Sequence, residues 1–331
     1  MIPLETDAPW QIAWPHAAQL GESPYWDAAE QRLYWVDIAE RQLLRARPGE
    51  ATVEHWSLPS EPGCVAPARR GGWVLALRDG IYRAQQWQGA LHRIAHIGYD
   101  PRQHRANDGR CDAQGRFWIG TLDETRQLAN AALYCLDARQ APPSLRCVLG
   151  QPGATPDAGA PDPAALRVST ANGLAFSPQE DTLYWADTRQ HTVWAWDFDA
   201  DTARLTRQRV WAQWPSKPVD WEPDPLAPAD PQYLGRPDGA CVDALGNYWV
   251  ALYEGRRVCQ LAPNGQLLRA IATPVQCPTM PCLGGPDLRT LYVTSARAHR
   301  GEAECAALPA SGQVIALQVP TPGLPVARFA D

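Results

Sequence analysis

No apolar run in this chain approaches the ~20 residues needed to cross a bilayer, so no membrane-spanning helix is read from it. The first twenty residues, MIPLETDAPWQIAWPHAAQL, contain acids and lack a basic start followed by an apolar stretch. No secretory leader is read there, and a cytoplasmic location is expected. No block of Lys and Arg appears, which argues against a nucleic-acid surface. A Gly-rich phosphate loop and a dinucleotide fingerprint are both missing, so no organic cofactor is expected. The G-x-S-x-G elbow of Ser/His/Asp hydrolases is absent as well. His92 and His96 stand four apart without the H-E-x-x-H pattern of zinc proteases, and they read as blade-surface residues. The nine cysteines follow no regular spacing and are expected to be reduced. Cys277 and Cys282 are spaced too widely for a zinc knuckle, and no matching pair follows them.

Phe is scarce, at 4, while Trp is abundant, at 15. Trp suits the pleated, half-buried surface of a sheet and packs between stacked sheets. Thirty-two Pro and 25 Gly imply many turns, and no stretch reads as a long amphipathic helix. Hydrophobic residues make up 45% of the chain, enough for a substantial core, and the formal net charge of -6 bears mainly on solubility. These features favour an all-β fold.

Short β runs recur. They are Leu33-Tyr-Trp-Val-Asp-Ile, Gly72-Trp-Val-Leu-Ala-Leu, Arg116-Phe-Trp-Ile-Gly-Thr, Leu183-Tyr-Trp-Ala-Asp-Thr, Asn247-Tyr-Trp-Val-Ala-Leu and Leu291-Tyr-Val-Thr-Ser-Ala. Positions 35, 73, 118, 185, 249 and 293 place them in one register, with gaps of 38, 45, 67, 64 and 44. Three gaps match a four-stranded propeller blade of about 40–50 residues. The two long gaps hold Pro-rich stretches near 151–165 and 215–237. Pro cannot donate to a strand ladder, so both are expected to be loops. The expectation is one six-bladed β-propeller over residues 1–331, with four-stranded antiparallel blades.

Ahead of several of these runs sits a polar motif, an apolar strand and a turn, as in 107–115, 172–181 and 237–246. In a propeller, residues where the innermost strands begin meet around the central channel. Glu22, Asn107, Asn172 and Asp238 occupy such positions. Asn-Gly and Asp-Gly are also common turn formers, so any one motif alone reads as a turn before it reads as a site, and it is the recurrence across the repeat that raises the functional reading. Glu22, Asn172 and Asp238 offer only oxygen donors. That set suits one hard or borderline divalent ion, Ca²⁺, Mg²⁺ or Mn²⁺, with Fe²⁺ and Zn²⁺ as alternatives. Three protein ligands leave coordination positions for water and substrate.

The ordered set GESPYWD with LYWVDI, RANDGRCDAQGRFWIGTL, NGLAFSPQEDTLYWADT, RPDGACVDALGNYWVALYEGRRV and GGPDLRTLYVTSA resembles the SMP-30/gluconolactonase/regucalcin family, from Gly21 to about residue 316. The resemblance implies a metal-dependent hydrolase of sugar lactones, with a small-molecule aldonolactone as partner and a monomer or weak homo-oligomer as the assembly. It implies Glu22, Asn172 and Asp238 as metal ligands and Asp238 also as the acid/base residue. Arg105 and Asn107 match residues that contact the sugar, and Asp123 or Glu124 matches an acidic residue that meets a substrate hydroxyl. Two other readings stand beside this one: a phosphotriesterase-like hydrolase on the same scaffold, and a non-catalytic calcium- or ligand-binding propeller. LYWVDI and LYWADT also resemble the repeats of extracellular receptor propellers, in which Tyr-Trp and Asp support the blades; Trp35, Asp37, Trp185 and Asp187 are expected to do so here. His104 and Glu254 read as solvated residues, with a position near the channel as the alternative.

Overall fold

A computed structural model describes residues 2–125, 129–150, 167–224, 230 and 232–331. The Pro-rich stretch at 151–165 lies outside the described residues. Six antiparallel four-stranded sheets are arranged as the blades of a propeller. Their innermost strands, in chain order, are Gly21–Asp27, Pro62–Pro67, His104–Cys111, Ala171–Phe176, Arg236–Val242 and Pro278–Gly284. Within blades one to five each later strand lies one step further out. Blade six takes its outermost strand from the other end of the chain: Gln11–Trp14 pairs with Val314–Gln318 and closes the ring. Blade five carries a fifth strand, Leu4–Glu5, which pairs in parallel with Leu267–Ala272. Residues 215–224 contain no strand, and the inner strand of blade five begins at Arg236. Among the described residues the one helix is the short Glu302–Ala307, and none is long and apolar enough to cross a membrane. All nine cysteines are free thiols.

The core is divided into six apolar clusters, one at each junction between neighbouring blades. This division explains the Trp excess. A sheet that packs on both faces needs large side chains to fill a space about 10 Å deep. Trp14, Trp35, Trp118, Trp185, Trp196 and Trp249 are fully buried in these layers.

The tryptophans do not occupy one register, contrary to the spacing read from the sequence. Trp35 and Trp185 face a bulge in the adjoining inner strand, where blades three, five and six have Gly120, Ala251 and Thr294. Trp118 and Trp249 lie two residues nearer the start of their strands. A shift of two keeps a side chain on the same face, so large residues at different heights fill the same layer. Gly120 is small because Ala171 of the next blade packs there: a Cβ on Gly120 would stand 2.7 Å from the Ala171 Cβ.

Asp37 and Asp187 support the blades, as expected. Asp37 accepts hydrogen bonds from the backbone N–H groups of Gln19, Leu20 and Glu40, and Asp187 from those of Ser169, Thr170 and Arg189. Each carboxylate ties the turn that follows its strand to the segment that leads into the inner strand.

Candidate active site

Every inner strand breaks its ladder register near its start. The breaks fall between Glu22 and Tyr25, Pro62 and Cys64, Ala106 and Gly109, Asn172 and Ala175, Pro237 and Ala240, and Pro278 and Pro281. A bulge adds residues on one side of a ladder and redirects their side chains. Here the repeat turns polar groups into the channel at one rim. Glu22 and Asn172 are the last paired residues before their bulges, whereas Asn107 and Asp238 are the first inside theirs. The four are therefore not at identical repeat positions, although all sit at the same end of the channel. Gly173, in the bulge of blade four, has φ 56°, and a Cβ there would lie 2.4 Å from the Tyr248 hydroxyl. Only glycine suits both demands.

Glu22, Asn107, Asn172, Asp238 and Arg105 are all buried, none more than 8% exposed. A chain of hydrogen bonds joins blades three, four and five. Arg105 Nη1 donates to Asn107 Oδ1 at 2.7 Å. Asn107 Nδ2 donates to Asn172 Oδ1 at 2.8 Å and to the Ala171 carbonyl at 2.8 Å. Asn172 Nδ2 donates to Thr188 Oγ1 at 2.8 Å, and Thr188 Oγ1 donates to the Pro237 carbonyl at 2.7 Å. This relay orients both amides. Asn172 Oδ1 uses one lone pair on Asn107, and an amide oxygen has a second to offer. The last link ends on the residue before Asp238, so the amide and the carboxylate are positioned together.

Two buried carboxylates lie at the same rim. Burial, followed by the charges of Asp238 and Asp108, raises the Glu22 pKa well above the usual value. Burial, followed by the charge of Asp108, raises that of Asp238 to about 8, against the pull of Arg236 and Arg105. Asp108 itself is pushed up by burial; its Oδ2 accepts from the Leu174 N–H at 2.8 Å, and its Oδ1 has no hydrogen-bond partner. Buried acids that raise one another are short of positive charge. An oxygen-only set with that deficit fits a hard divalent cation, which would let Glu22 and Asp238 both ionise beside the Asn172 oxygen. Among the described residues no three of His, Cys, Asp and Glu converge in a metal-holding group. Asn172 would add an amide oxygen, a residue type outside that set.

The second acidic pair separates. Glu124 sits at the rim, more than a third exposed, and is bound by Arg78 through Nη1 at 2.8 Å and Nη2 at 3.1 Å, with Arg105 Nε at 3.4 Å. Asp123 is buried, and its Oδ1 accepts from the Thr125 N–H at 2.9 Å and hydroxyl at 2.5 Å. Glu124 thus stands against the Arg105 guanidinium, while Asp123 holds the turn beneath it.

Four features escaped the sequence. Asp108 lay within the quoted Asn-Asp-Gly, but simple strand alternation points only one of two neighbours inward; the bulge keeps both near the channel. Thr188 ends the Leu183-Tyr-Trp-Ala-Asp-Thr run, but nothing in that run marks its hydroxyl for the channel. Glu254 is buried rather than solvated, because Lys217, Arg236 and Arg300 surround its carboxylate. His104 is also buried, tilted against Tyr99 with 5.8 Å between ring centroids, and its Nε2 lies 2.8 Å from Asn130 Oδ1. His92 and His96 are exposed, as expected.

A six-bladed propeller with an acid- and amide-lined channel mouth defines a class, and comparison narrows it. Residues 20–297 match the family described as SMP-30/Gluconolactonase/LRE-like region, and the chain belongs to that family. It is 37% identical over 313 residues to a 6-deoxy-6-sulfogluconolactonase from Pseudomonas putida, covering 94% of this chain and 95% of that one. It is 30% identical over 289 residues to regucalcin from Xenopus laevis, covering 84% and 83% respectively. A solved structure described as a calcium-binding protein, regucalcin, from Agrobacterium tumefaciens str. C58 superposes with a TM-score of 0.83 at 23% identity, over 99% of this chain and 100% of that one. At that identity the likeness speaks to the fold.

Proposed function

We propose that this protein hydrolyses an aldonolactone to the aldonic acid, with one divalent cation held by Glu22, Asn172 and Asp238. Its family and the lactonase relative from Pseudomonas putida support the class, a carboxylic ester hydrolase. The observation that carries the chemistry is the buried pair Glu22 and Asp238, each within reach of the other's charge, at the rim where a hydrogen-bond relay fixes the Asn172 amide. When bound, the cation would polarise the lactone carbonyl and stabilise the negative charge that develops on its oxygen.

The remaining work falls to the chain's own groups. Asp238 takes a proton from the attacking water and returns it to the ring oxygen as the C–O bond breaks. Arg105 offers hydrogen bonds and positive charge to the sugar hydroxyls. Asn107 holds the Asn172 amide in the orientation that presents its oxygen, and Thr188 fixes that amide from the other side. Glu124 restrains the Arg105 guanidinium at the rim. A cytoplasmic setting suits the nine free thiols.

The test is a panel of aldonolactones against metal-stripped protein, refilled with one cation at a time. The panel includes neutral lactones and, because the Pseudomonas putida relative is named for one, a C6-sulfonated lactone. Turnover that requires added cation and is lost in Asp238→Asn supports the proposal. Calcium binding without turnover of any lactone would favour a non-catalytic binding protein. Turnover of a phosphotriester but no lactone would favour the alternative hydrolase.

A further inference from the structure

Charge around the channel mouth is unevenly distributed. On blades two and three, Arg78 and Arg105 face Glu61 and Glu124, two against two. On the opposite side, Glu254 follows the strand that pairs with the start of the Asp238 strand. Its carboxylate is 7% exposed and takes three cations: Lys217 Nζ at 3.0 and 3.1 Å, Arg236 Nη2 at 2.9 Å and Arg300 Nη1 at 3.4 Å. Glu304 adds one more carboxylate, bound by Arg300 at 2.5 and 2.7 Å. Counted by ion pairs among the described residues, three cations therefore share two carboxylates, one positive charge more than the acids they bind.

Burial decides where that charge is available. The Arg300 side chain is 11% exposed and is committed to both acids. The side chains of Lys217 and Arg236 are 34% and 28% exposed. Arg236 stands two residues before Asp238 on the same strand, and its Nε has no hydrogen-bond partner. Lys217 comes from the Pro-rich segment that precedes this strand, and its Nζ lies 5.0 Å from the centre of the Trp221 ring. It is also the only lysine in the sequence; the other basic residues counted with it are arginines. Two of its three donor directions are used on Glu254.

We propose that Lys217 and Arg236 form an anion subsite at the rim of the channel. It selects lactones carrying a sulfonate, phosphate ester or carboxylate on the end of the sugar remote from the lactone carbonyl. The placement follows from the hydrolase reading, on which this inference rests: the carbonyl belongs beside Asp238, and the cations flank that residue on the rim side. An ammonium and a guanidinium together can bridge the oxygens of one tetrahedral anion.

The test compares kcat/KM for glucono-1,5-lactone with that for its C6-sulfonate and C6-phosphate, in the parent, Lys217→Met and Lys217→Arg. The parent is expected to favour a charged lactone at least tenfold. Lys217→Met should lose that factor on the charged substrate and stay within twofold on the neutral one, and Lys217→Arg should restore most of it. A preference for one of the two anions supports the subsite and identifies its ligand. Equal turnover of charged and neutral lactones, or an equal loss on both in Lys217→Met, overturns it while leaving the hydrolase reading intact. If no lactone is hydrolysed with any cation, the hydrolase reading falls. Calorimetry with the corresponding aldonic acids then decides the subsite: tighter binding of the charged acids that is lost in Lys217→Met supports it, and equal binding overturns it.

Discussion

Asp238→Asn is expected to stabilise the metal-free protein at neutral pH while abolishing its activity. Burial and the charge of Asp108 hold the Asp238 pKa at about 8, against the ordinary 3.8. A raised carboxyl contributes its stability below the unfolded pKa and loses it as pH rises through the folded one. Between pH 4 and 7 the unfolded chain releases this proton and the folded protein keeps it. Each pH unit in that window is worth about 1.36 kcal/mol, so three units amount to ~4 kcal/mol. Asparagine is neutral throughout and nearly the same shape. At pH 4 the two proteins should melt together; at pH 7 the variant should melt higher. With unfolding entropy scaling with chain length, ~4 kcal/mol corresponds to about 6 °C for a chain of this size. A saturating divalent cation should narrow the gap, because it binds the ionised carboxylate in the folded state alone; at a hundred times Kd such linkage returns about 2.7 kcal/mol of it to the parent. Calorimetric melting at pH 4, 5.5 and 7, with chelator and then with Ca²⁺ or Mn²⁺, measures all of this. A Tm difference that ignores pH, or a variant that gains as much from the cation as the parent, would refute the reasoning.

Other substitutions examine separate links. Glu22→Gln should weaken cation binding by at least tenfold in calorimetry, since it removes one of two charged donors; unchanged affinity removes Glu22 from the ligand set. Thr188→Val keeps the shape but cuts the relay at Asn172 and Pro237. It should cost about 1–3 kcal/mol in denaturant unfolding and lower kcat/KM about tenfold or more; loss of stability with parental kinetics would make Thr188 purely structural. Gly63→Ala should destabilise the fold by about 1–3 kcal/mol and lower activity with it, because the new Cβ would meet Ala106 backbone atoms at 2.3 and 2.4 Å and Asn107 N at 2.7 Å. Urea unfolding checks the first effect and lactone turnover the second. Arg105→Ala should lower kcat/KM for every lactone in the panel at least tenfold, and kinetics identical to the parent would take it out of the substrate contacts.

The number of blades and the polar residues at the heads of the inner strands were legible in the sequence because each is a local signal repeated along the chain. The runs around Trp35, Trp118, Trp185 and Trp249 are short continuous apolar stretches rich in aromatic residues, and Gly- and Pro-rich turns separate them, which specifies strands buried on both faces without reference to anything distant. Glu22, Asn172 and Asp238 could be picked out because a polar residue at the head of an inner strand recurs from blade to blade. The common Trp register was misread for a physical reason: residues two apart share a face, so sequence pattern cannot tell at which height a side chain fills the layer between blades.

Only the tertiary structure decided which neighbours of those residues reach the channel. A bulge breaks the alternation that sequence reasoning relies on, and so Asp108 joins Asn107 near the other acids. The Arg105–Asn107–Asn172–Thr188 relay depends on blades three and four standing side by side, and no residue in it signals the next. Glu254 acquires its meaning from Lys217, Arg236 and Arg300, which come from three separate segments. Local propensity settles how each strand forms; the charge and direction of a side chain in the channel depend on what the ring brings against it.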